Sequence, residues 1–337
     1  MLPVGYFACT QVPPNTNDMA TLIDEIIEEA VVAESVGYDG LYFPEHHQQA
    51  DAFIPNPVLL SALVGMHTNS IKVGPAVLLA PLYHPIRLAE DAALIDLATK
   101  GRFICALGIG YIQEDFDAFG IPTKERAPRT EECIEILRKA WSGEPFSYDS
   151  KFYQIENLRV TPAPYTKGGP PIWVGGWSRP GMERGGRLAD AMIGDPLQSL
   201  EVIKEYVDQY REKADKYGRK PYYVMMRDCV IGRNREEALA RSGPMMVKHR
   251  WYFEHGAYTM DEHLRDVKKP EDLTFDVMTK NRLIAGSPEE CLDQLQMWRD
   301  EIQPDYVILR MRQATGPEQA AALEDIRLFG EKVIPHL

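Results

Sequence analysis

The sequence contains no apolar run that approaches 18 residues, so no membrane-spanning helix is expected. The five cysteines are scattered, odd in number, and form no Cys-x-x-Cys pair. This usage argues against a disulfide framework or a zinc site and is typical of a reducing cytoplasm. Basic residues are also few, because 37 Lys and Arg stand against 50 Asp and Glu, a net charge of −13. An acidic chain without a basic stripe repels phosphate backbones, so no nucleic-acid partner is expected.

The chain of 337 residues has 45% hydrophobic and 26% charged residues, as globular proteins do. Its length fits two average domains, or one α/β barrel of about 250 residues with insertions. The strand-like run over residues 2–7 lacks the charged segment, apolar core and cleavage site of a signal peptide. We therefore expect no signal peptide and a cytoplasmic location.

Strand and helix signals alternate along the chain. Strands that are buried on both faces appear as short apolar runs, whereas helices repeat apolar residues every three to four positions. The predicted strands cover residues 4–8, 39–43, 71–79, 103–107, 172–174, 191–193, 222–231 and 305–309. The first predicted helix begins near residue 17. The later ones cover residues 57–66, 86–98, 114–119, 131–141, 182–188, 197–217, 236–253, 288–302 and 317–333. Residues 146–160 show an alternating pattern that includes aromatic residues, and this pattern predicts a hairpin.

Eight β-α units without a Pro/Gly/Ser-rich linker predict one α/β domain over residues 1–337, a (β/α)8 TIM barrel with insertions. A doubly wound parallel sheet is the alternative, because strand counts from sequence are error-prone. Residues 254–282 are mixed and polar, without an apolar period. We expect them to be an insertion that buries little and serves as a lid over the substrate side of the barrel.

The second predicted strand ends in Pro-Glu-His-His, with Glu45, His46 and His47. The carboxyl ends of parallel strands meet at one end of a barrel, here called the mouth, where barrel enzymes carry out their chemistry. Histidine can hold or release a proton near neutral pH, and a neighbouring carboxylate can fix its orientation. Taken alone, these three residues favour a solvated junction between strand and loop over a catalytic site.

Other strand exits add to this motif. The predicted third strand leads to His84, the fourth to Tyr111, and the fifth to a glycine-rich stretch over residues 175–179. Imidazole, aromatic faces and glycine backbone at one mouth suit a flat aromatic cofactor with a phosphate tail. A metal-dependent hydrolase is less favoured, because Thr10 and Gln11 stand where His-x-His would follow strand one. Adjacent histidines also point to opposite faces of an extended chain, and no metal site is predicted.

The order of these motifs resembles the bacterial luciferase-like flavin monooxygenases and the related deazaflavin-dependent oxidoreductases, over nearly the whole chain. The resemblance is carried by Glu-His-His at 45–47, His-Pro-Ile-Arg-Leu-Ala-Glu-Asp at 84–91, Gly-Arg-Phe at 101–103, Asp-Phe-Asp-Ala-Phe-Gly at 115–120 and Thr-Pro-Ala-Pro at 161–164. It implies a (β/α)8 barrel with reduced flavin at the mouth. It also implies that His46 lies beside the flavin ring as acid/base or hydrogen-bond donor, with Glu45 orienting it.

The resemblance further implies a cofactor cradle. The peptide bond between Ala76 and Val77 matches the family's non-proline cis bond, which supports the flavin ring from behind. The flavin phosphate is expected at Ser178 with its neighbours Gly176, Trp177 and Arg179, and at Arg129. Without the resemblance, Arg129 fits better as a solvated helix residue that pairs with Glu125 or Glu132 than as a phosphate ligand.

Two positions depart from the luciferase pattern after strand four. Gly108 stands where luciferase-type members carry a reactive cysteine, and Ile109 where they carry an arginine near the flavin. The departures argue against luciferase activity itself and favour a general monooxygenase.

The resulting prediction is a flavin-dependent monooxygenase that uses reduced FMN and O2 on a small organic substrate. A separate flavin reductase and a homodimer are expected with it. The alternative is a hydride-transfer oxidoreductase that uses coenzyme F420, although the acidic composition favours FMN over that cofactor's polyglutamate tail. A flavin-binding protein without turnover is a third possibility that only an assay separates.

Overall fold

Eight parallel strand positions form a barrel at the centre of the molecule in the computed structural model, which describes residues 1–12, 18–254, 258 and 264–337. The strands are β1 (Val4–Phe7), β2 (Gly40–Phe43), β3 (Lys72–Pro75), β4 (Leu78–Leu79), β5 (Cys105–Gly108), β6 (Phe146–Asp149), β7 (Gln154–Leu158), β8 (Ile172–Gly175), β9 (Ala191–Ile193), β10 (Tyr223–Ile231), β11 (Ile284–Gly286) and β12 (Tyr306–Arg310). The third barrel strand is split into β3 and β4. The barrel closes there, because Val73 bridges Phe103 and Leu78 pairs with Leu107.

Helices surround the strands. They are α1 (Met19–Ser35), α2 (Pro57–His67), α3 (Pro85–Thr99), α4 (Gln113–Ala118), α5 (Arg126–Ala140), α6 (Arg179–Leu188), α7 (Leu200–Lys216), α8 (Arg235–Arg241), α9 (Gly243–Glu254), α10 (Phe275–Thr279), α11 (Pro288–Ile302) and α12 (Gln319–Lys332). None of the helices in the described residues is long and apolar enough to cross a membrane. The predicted barrel is confirmed over the doubly wound sheet, and the antiparallel hairpin of β6 and β7 is confirmed as well.

The barrel interior and the helix layer are separate apolar cores. Side chains such as Tyr42, Trp173 and Ile308 fill the inside of the barrel. A larger core lies between the strands and helices and includes Leu41, Ile134 and Trp298. Because alternate strand residues point to opposite sides, each strand serves both cores. This packing fixes the strand ends that position the site.

The expectation that residues 254–282 bury little is wrong in the part that the structure describes; residues 255–257 and 259–263 lie outside that part. Leu264, Leu273, Phe275 and Met278 are buried in a third apolar cluster against the end of β10. These residues lie on short turns and α10, so they bury area without a helical period. The role of the segment as a lid stays a prediction.

Candidate active site

Glu45 lies just beyond β2 and links two strand exits. Its Oε2 accepts a hydrogen bond from the Leu79 backbone N–H at 2.7 Å, and its Oε1 accepts one from the Tyr83 hydroxyl at 3.1 Å. The same Oε1 lies 2.9 Å from Nε2 of His47. Burial raises the pKa of Glu45, although these contacts oppose the shift. The prediction that Glu45 orients His46 is therefore wrong: Glu45 orients His47 and ties β2 to β4.

The carboxylate that orients His46 is Asp115, in α4. Asp115 is fully buried; its Oδ2 lies 3.3 Å from Nδ1 of His46, and its Oδ1 accepts the backbone N–H of His47 at 3.0 Å. Sequence reasoning missed this role because 69 residues separate Asp115 from His46. The only signal was its place in the motif that follows strand four.

Aromatic rings enclose the His46 imidazole. The rings of Phe53 and Tyr111 contact it edge-on, at centroid distances of 4.8 and 5.7 Å. Burial lowers the pKa of His46, and Asp115 only partly opposes this. The imidazole is therefore neutral near pH 7. Because a carboxylate accepts from Nδ1–H, the neutral ring keeps Nε2 as an acceptor.

The peptide bond between Ala76 and Val77 is cis, as predicted. The Ala76 N–H donates to the Phe43 carbonyl at 2.7 Å, which places this turn beside the end of β2. The Val77 side chain lies against two glycines, since a Cβ atom on Gly108 would be 2.4 Å from its Cγ2, and one on Gly175 would be 2.8 Å from its Cγ1. Position 108 therefore has no room for a cysteine while Val77 keeps its place.

The predicted phosphate residues lie at the start of α6. The Ser178 hydroxyl caps this helix by accepting the Gly181 N–H at 3.3 Å, and Gly176 packs close to Gly181. Trp177 is 49% exposed, with its ring 5.4 Å from that of Tyr111. The Tyr111 ring therefore contacts both Trp177 and His46, which places these two residues at one mouth. The Arg179 side chain lies elsewhere, 79% exposed and paired with Glu205 at 3.2 Å.

Arg129 lies in α5, where its guanidinium is already engaged. Its Nη2 and Nε donate to Glu125 Oε2 at 2.9 and 3.1 Å, and the group stacks 4.5 Å from the Phe152 ring centroid. This is one of the two ion pairs that the sequence left open. Contact with a phosphate requires Arg129 to exchange or share this partner.

The described residues contain no group of three or more His, Cys, Asp or Glu side chains arranged to hold a metal ion. The groups that are present fit a flavin. The cradle at Gly108 and Gly175 offers a flat apolar wall. The start of α6 at Ser178 offers N–H donors for a phosphate, and the oriented imidazole of His46 offers a proton-transfer group.

A family model described as luciferase-like monooxygenase matches residues 2–302. The chain belongs to the luciferase-like monooxygenase family. Among curated relatives, the oxygenase component of the flavin-dependent trigonelline monooxygenase of Acinetobacter baylyi is 24% identical, over 82% of this chain and 80% of that protein. The predicted family is confirmed.

Solved structures of monooxygenases and of an F420-dependent reductase share the fold. The oxygenating constituent of 3,6-diketocamphane monooxygenase from Pseudomonas putida, in complex with FMN, aligns with a TM-score of 0.84 at 23% identity, over 100% of this chain and 99% of that one. The F420-dependent tetrahydromethanopterin reductase of Methanopyrus kandleri aligns with a TM-score of 0.76 at 18% identity, over 99% of both chains. At these identities the likeness extends to the barrel alone.

Proposed function

We propose that this protein is a flavin-dependent monooxygenase that uses reduced FMN and O2 to oxidise a small organic substrate. A separate reductase supplies the reduced flavin. The observation that carries the proposal is the His46–Asp115 pair at the mouth, with Nδ1 and Oδ2 at 3.3 Å and Asp115 fully buried. Membership of a monooxygenase family supports the reaction class, and a relative named as an oxygenase component supports the separate reductase.

Reduced FMN, when bound, supplies the electrons for dioxygen reduction as one oxygen atom enters the substrate. The first turn of α6 binds the phosphate through N–H groups and the positive end of the helix, with Ser178 at its start. The Val77 side chain supports the flat ring. His46 holds or gives a proton at Nε2, and Tyr111 and Trp177 reduce the access of water to the mouth.

Hydride transfer with coenzyme F420 is the competing function, because the same barrel serves that cofactor in a solved structure. The net charge of −13 favours FMN, since it repels a polyglutamate tail. An anaerobic fluorescence titration with reduced FMN, oxidised FMN and reduced F420 separates the two. We expect the tightest binding for reduced FMN, followed by oxygen uptake on exposure to air. Tighter binding of F420, or no binding of any flavin, overturns the proposal.

We further propose that two copies associate through α2 and α3. Leu59, Leu63 and Met66 of α2 recur at helical spacing and are exposed, as are Leu94 and Leu97 of α3. The two helices pack side by side. An apolar face of this kind usually marks an interface, and a second copy can cover it in a self-complementary way.

A further inference from the structure

A second buried polar cluster lies at the carboxyl ends of β10 and β12, and the proposed function does not use it. Asp228 pairs in register with Arg310, which pairs in register with Phe7 of β1. The Arg310 Nε donates to Asp228 Oδ1 at 2.6 Å, and its Nη2 donates to Oδ2 at 2.7 Å. His249 of α9 places its Nε2 2.9 Å from the same Oδ2.

This cluster faces the inside of the barrel. Val224 and Met226 of β10 point inward, and so does Ile308 of β12. Because alternate strand residues share a side, Asp228 and Arg310 point inward too, at the last layer before the mouth. The Arg310 guanidinium lies 6.0 Å from the ring centroid of Phe7 on β1, which belongs to the same layer.

Arg310 and His46 share one mouth, because the strands that carry them, β12 and β2, both pair with β1 and run in the same direction. The Tyr111 ring lies 5.7 Å from that of His46. Burial raises the pKa of Tyr111 to about 12, and Arg310 is close enough to act in the opposite direction. The guanidinium therefore lies two strand positions from the exit of β2 that carries His46, with β1 between them.

The guanidinium keeps donors that its partners do not use. It has five N–H groups, of which Asp228 takes two. Arg310 retains an exposed fraction of 8%, whereas Asp228 retains none. Asp228 thus holds an oriented arginine that keeps a small solvent-exposed area. A planar fork of this kind fits a carboxylate better than a lysine would.

Arg310 is the arginine of this cluster that faces the mouth. The other buried arginine at this level, Arg227, points outward and stacks 4.1 Å from the ring centroid of Trp298. A buried ion pair contributes little to stability as such, so the place of the Arg310 pair at the mouth suggests another use.

We infer that Arg310 anchors the substrate through a carboxylate, held at the same mouth as His46 by N–H groups that Asp228 leaves available. This inference rests on the proposed function and narrows its substrate to organic acids. Arg310 is then a specificity-determining residue, and Asp228 with His249 are positioning residues.

Matched pairs of fragments test this: benzoate with benzamide, phenylacetate with phenylacetamide, and hexanoate with hexanamide. Ligand-observed NMR titrations at about pH 7.5 on the flavin-free protein give their affinities. We expect a preference of at least about tenfold for the acid in one pair or more, falling below about twofold in Arg310→Met. Arg87→Met is the matched control, because Arg87 is 71% exposed on α3 and pairs with Asp91 at 3.2 Å.

Arg310→Met leaves Asp228 buried without its partner, so the double variant Asp228→Asn/Arg310→Met is measured beside it. We expect both variants to lose the preference and the control to keep it. Equal affinities for acids and amides in the parent, or a preference that survives in the double variant, overturn the inference. The titration with reduced FMN is independent of these data, so failure of the flavin proposal and failure of this one remain distinguishable.

Discussion

The proposed acid/base group of the site is the imidazole of His46, and its surroundings set its protonation state. The low exposure of His46 lowers its pKa and so disfavours the charged form, and Asp115 fixes the orientation through Nδ1. The exposed edge of the ring is therefore a neutral acceptor near pH 7. A group of this kind takes a proton and returns it without a large change in local charge.

Replacement of His46 tests this role directly. We expect His46→Ala to lower turnover with reduced FMN by about 10²–10⁴-fold, the usual contribution of a positioned acid/base, and to change flavin affinity far less. Steady-state oxygen uptake and anaerobic flavin titration give the two quantities. His67→Ala, on the exposed end of α2, is the control. Unchanged turnover in His46→Ala would exclude the role.

Gly108 is a second position at which one residue type is dictated. A Cβ there would lie 2.4 Å from Val77 Cγ2, closer than carbon atoms can pack. We expect Gly108→Ala to lower the free energy of unfolding by about 1–3 kcal/mol, a typical cost of overpacking. Urea denaturation measures this. Val77→Ala should recover much of the loss in the double variant, and Gly243→Ala, where a Cβ meets nothing within 4 Å, should cost little. Additive losses would contradict the contact.

At the scale of elements, helix α6 and its neighbour α5 form the predicted phosphate end of the site. Glu131 of α5 joins them through Arg184 at 3.2 Å and Arg187 at 2.5 Å. We expect Ser178→Ala and Arg129→Ala each to weaken FMN about tenfold more than riboflavin, because only FMN carries the phosphate. Isothermal titration measures both ligands. Arg138→Ala on the same helix α5 is the control, and equal losses for the two ligands would place the phosphate elsewhere.

The connection from α2 to β3 depends on one carboxylate of α1. Burial opposes ionisation of Glu34, but backbone N–H groups of Ser70, Ile71 and Asn69 lower its pKa to about 2. Because the folded-state pKa lies below the unfolded value of about 4.3, the stabilisation is present above about pH 4 and is lost as the pH falls towards about 2. We expect Glu34→Gln to cost about 1–2 kcal/mol at pH 7, after allowance for screening by solvent. Urea denaturation at about pH 7 and about pH 3 should show the difference from the parent shrinking; a constant difference would contradict the assignment.

Most elements were predictable because their signals are local. Apolar runs such as Ile172–Gly175 mark barrel strands, and helical spacing marks the helices. The sequence predicted one helix over residues 236–253 and not the break between α8 and α9. Pro244 marks that break, because proline is tolerated in the first turn of a helix such as α9. The start of α5 at Arg126 was missed for the same reason, with Pro128 in its first turn. β11 has only three residues and is held by its pairing with β10, a contact that no local pattern records.

The site was less predictable than the barrel, because its contacts join distant parts of the chain. The sequence located His46 at a strand end, but neither Asp115 nor the Arg310–Asp228 pair has a local signature. Arg227 lies against an aromatic ring of the helix layer, whereas its neighbour Asp228 faces the mouth. Neighbouring residues of a strand face opposite sides of the barrel wall. Only the pairing register of the strand decides which of them faces the interior.

At the scale of the whole molecule, the described residues of α2 and α3 carry an apolar face that the fold leaves uncovered, on the barrel side next to β2 and β3. If a second copy covers α2 and α3, the parent should behave in light scattering as about twice the chain mass of 38.2 kDa. Leu63→Glu and Leu94→Glu each place an unpaired charge in that face, so we expect the dimer dissociation constant to rise at least about 100-fold. Leu239→Glu, at a residue 52% exposed on α8, should leave the dimer intact. A monomeric parent, or a dimer that survives both substitutions at α2 and α3, would show that this face is not the interface.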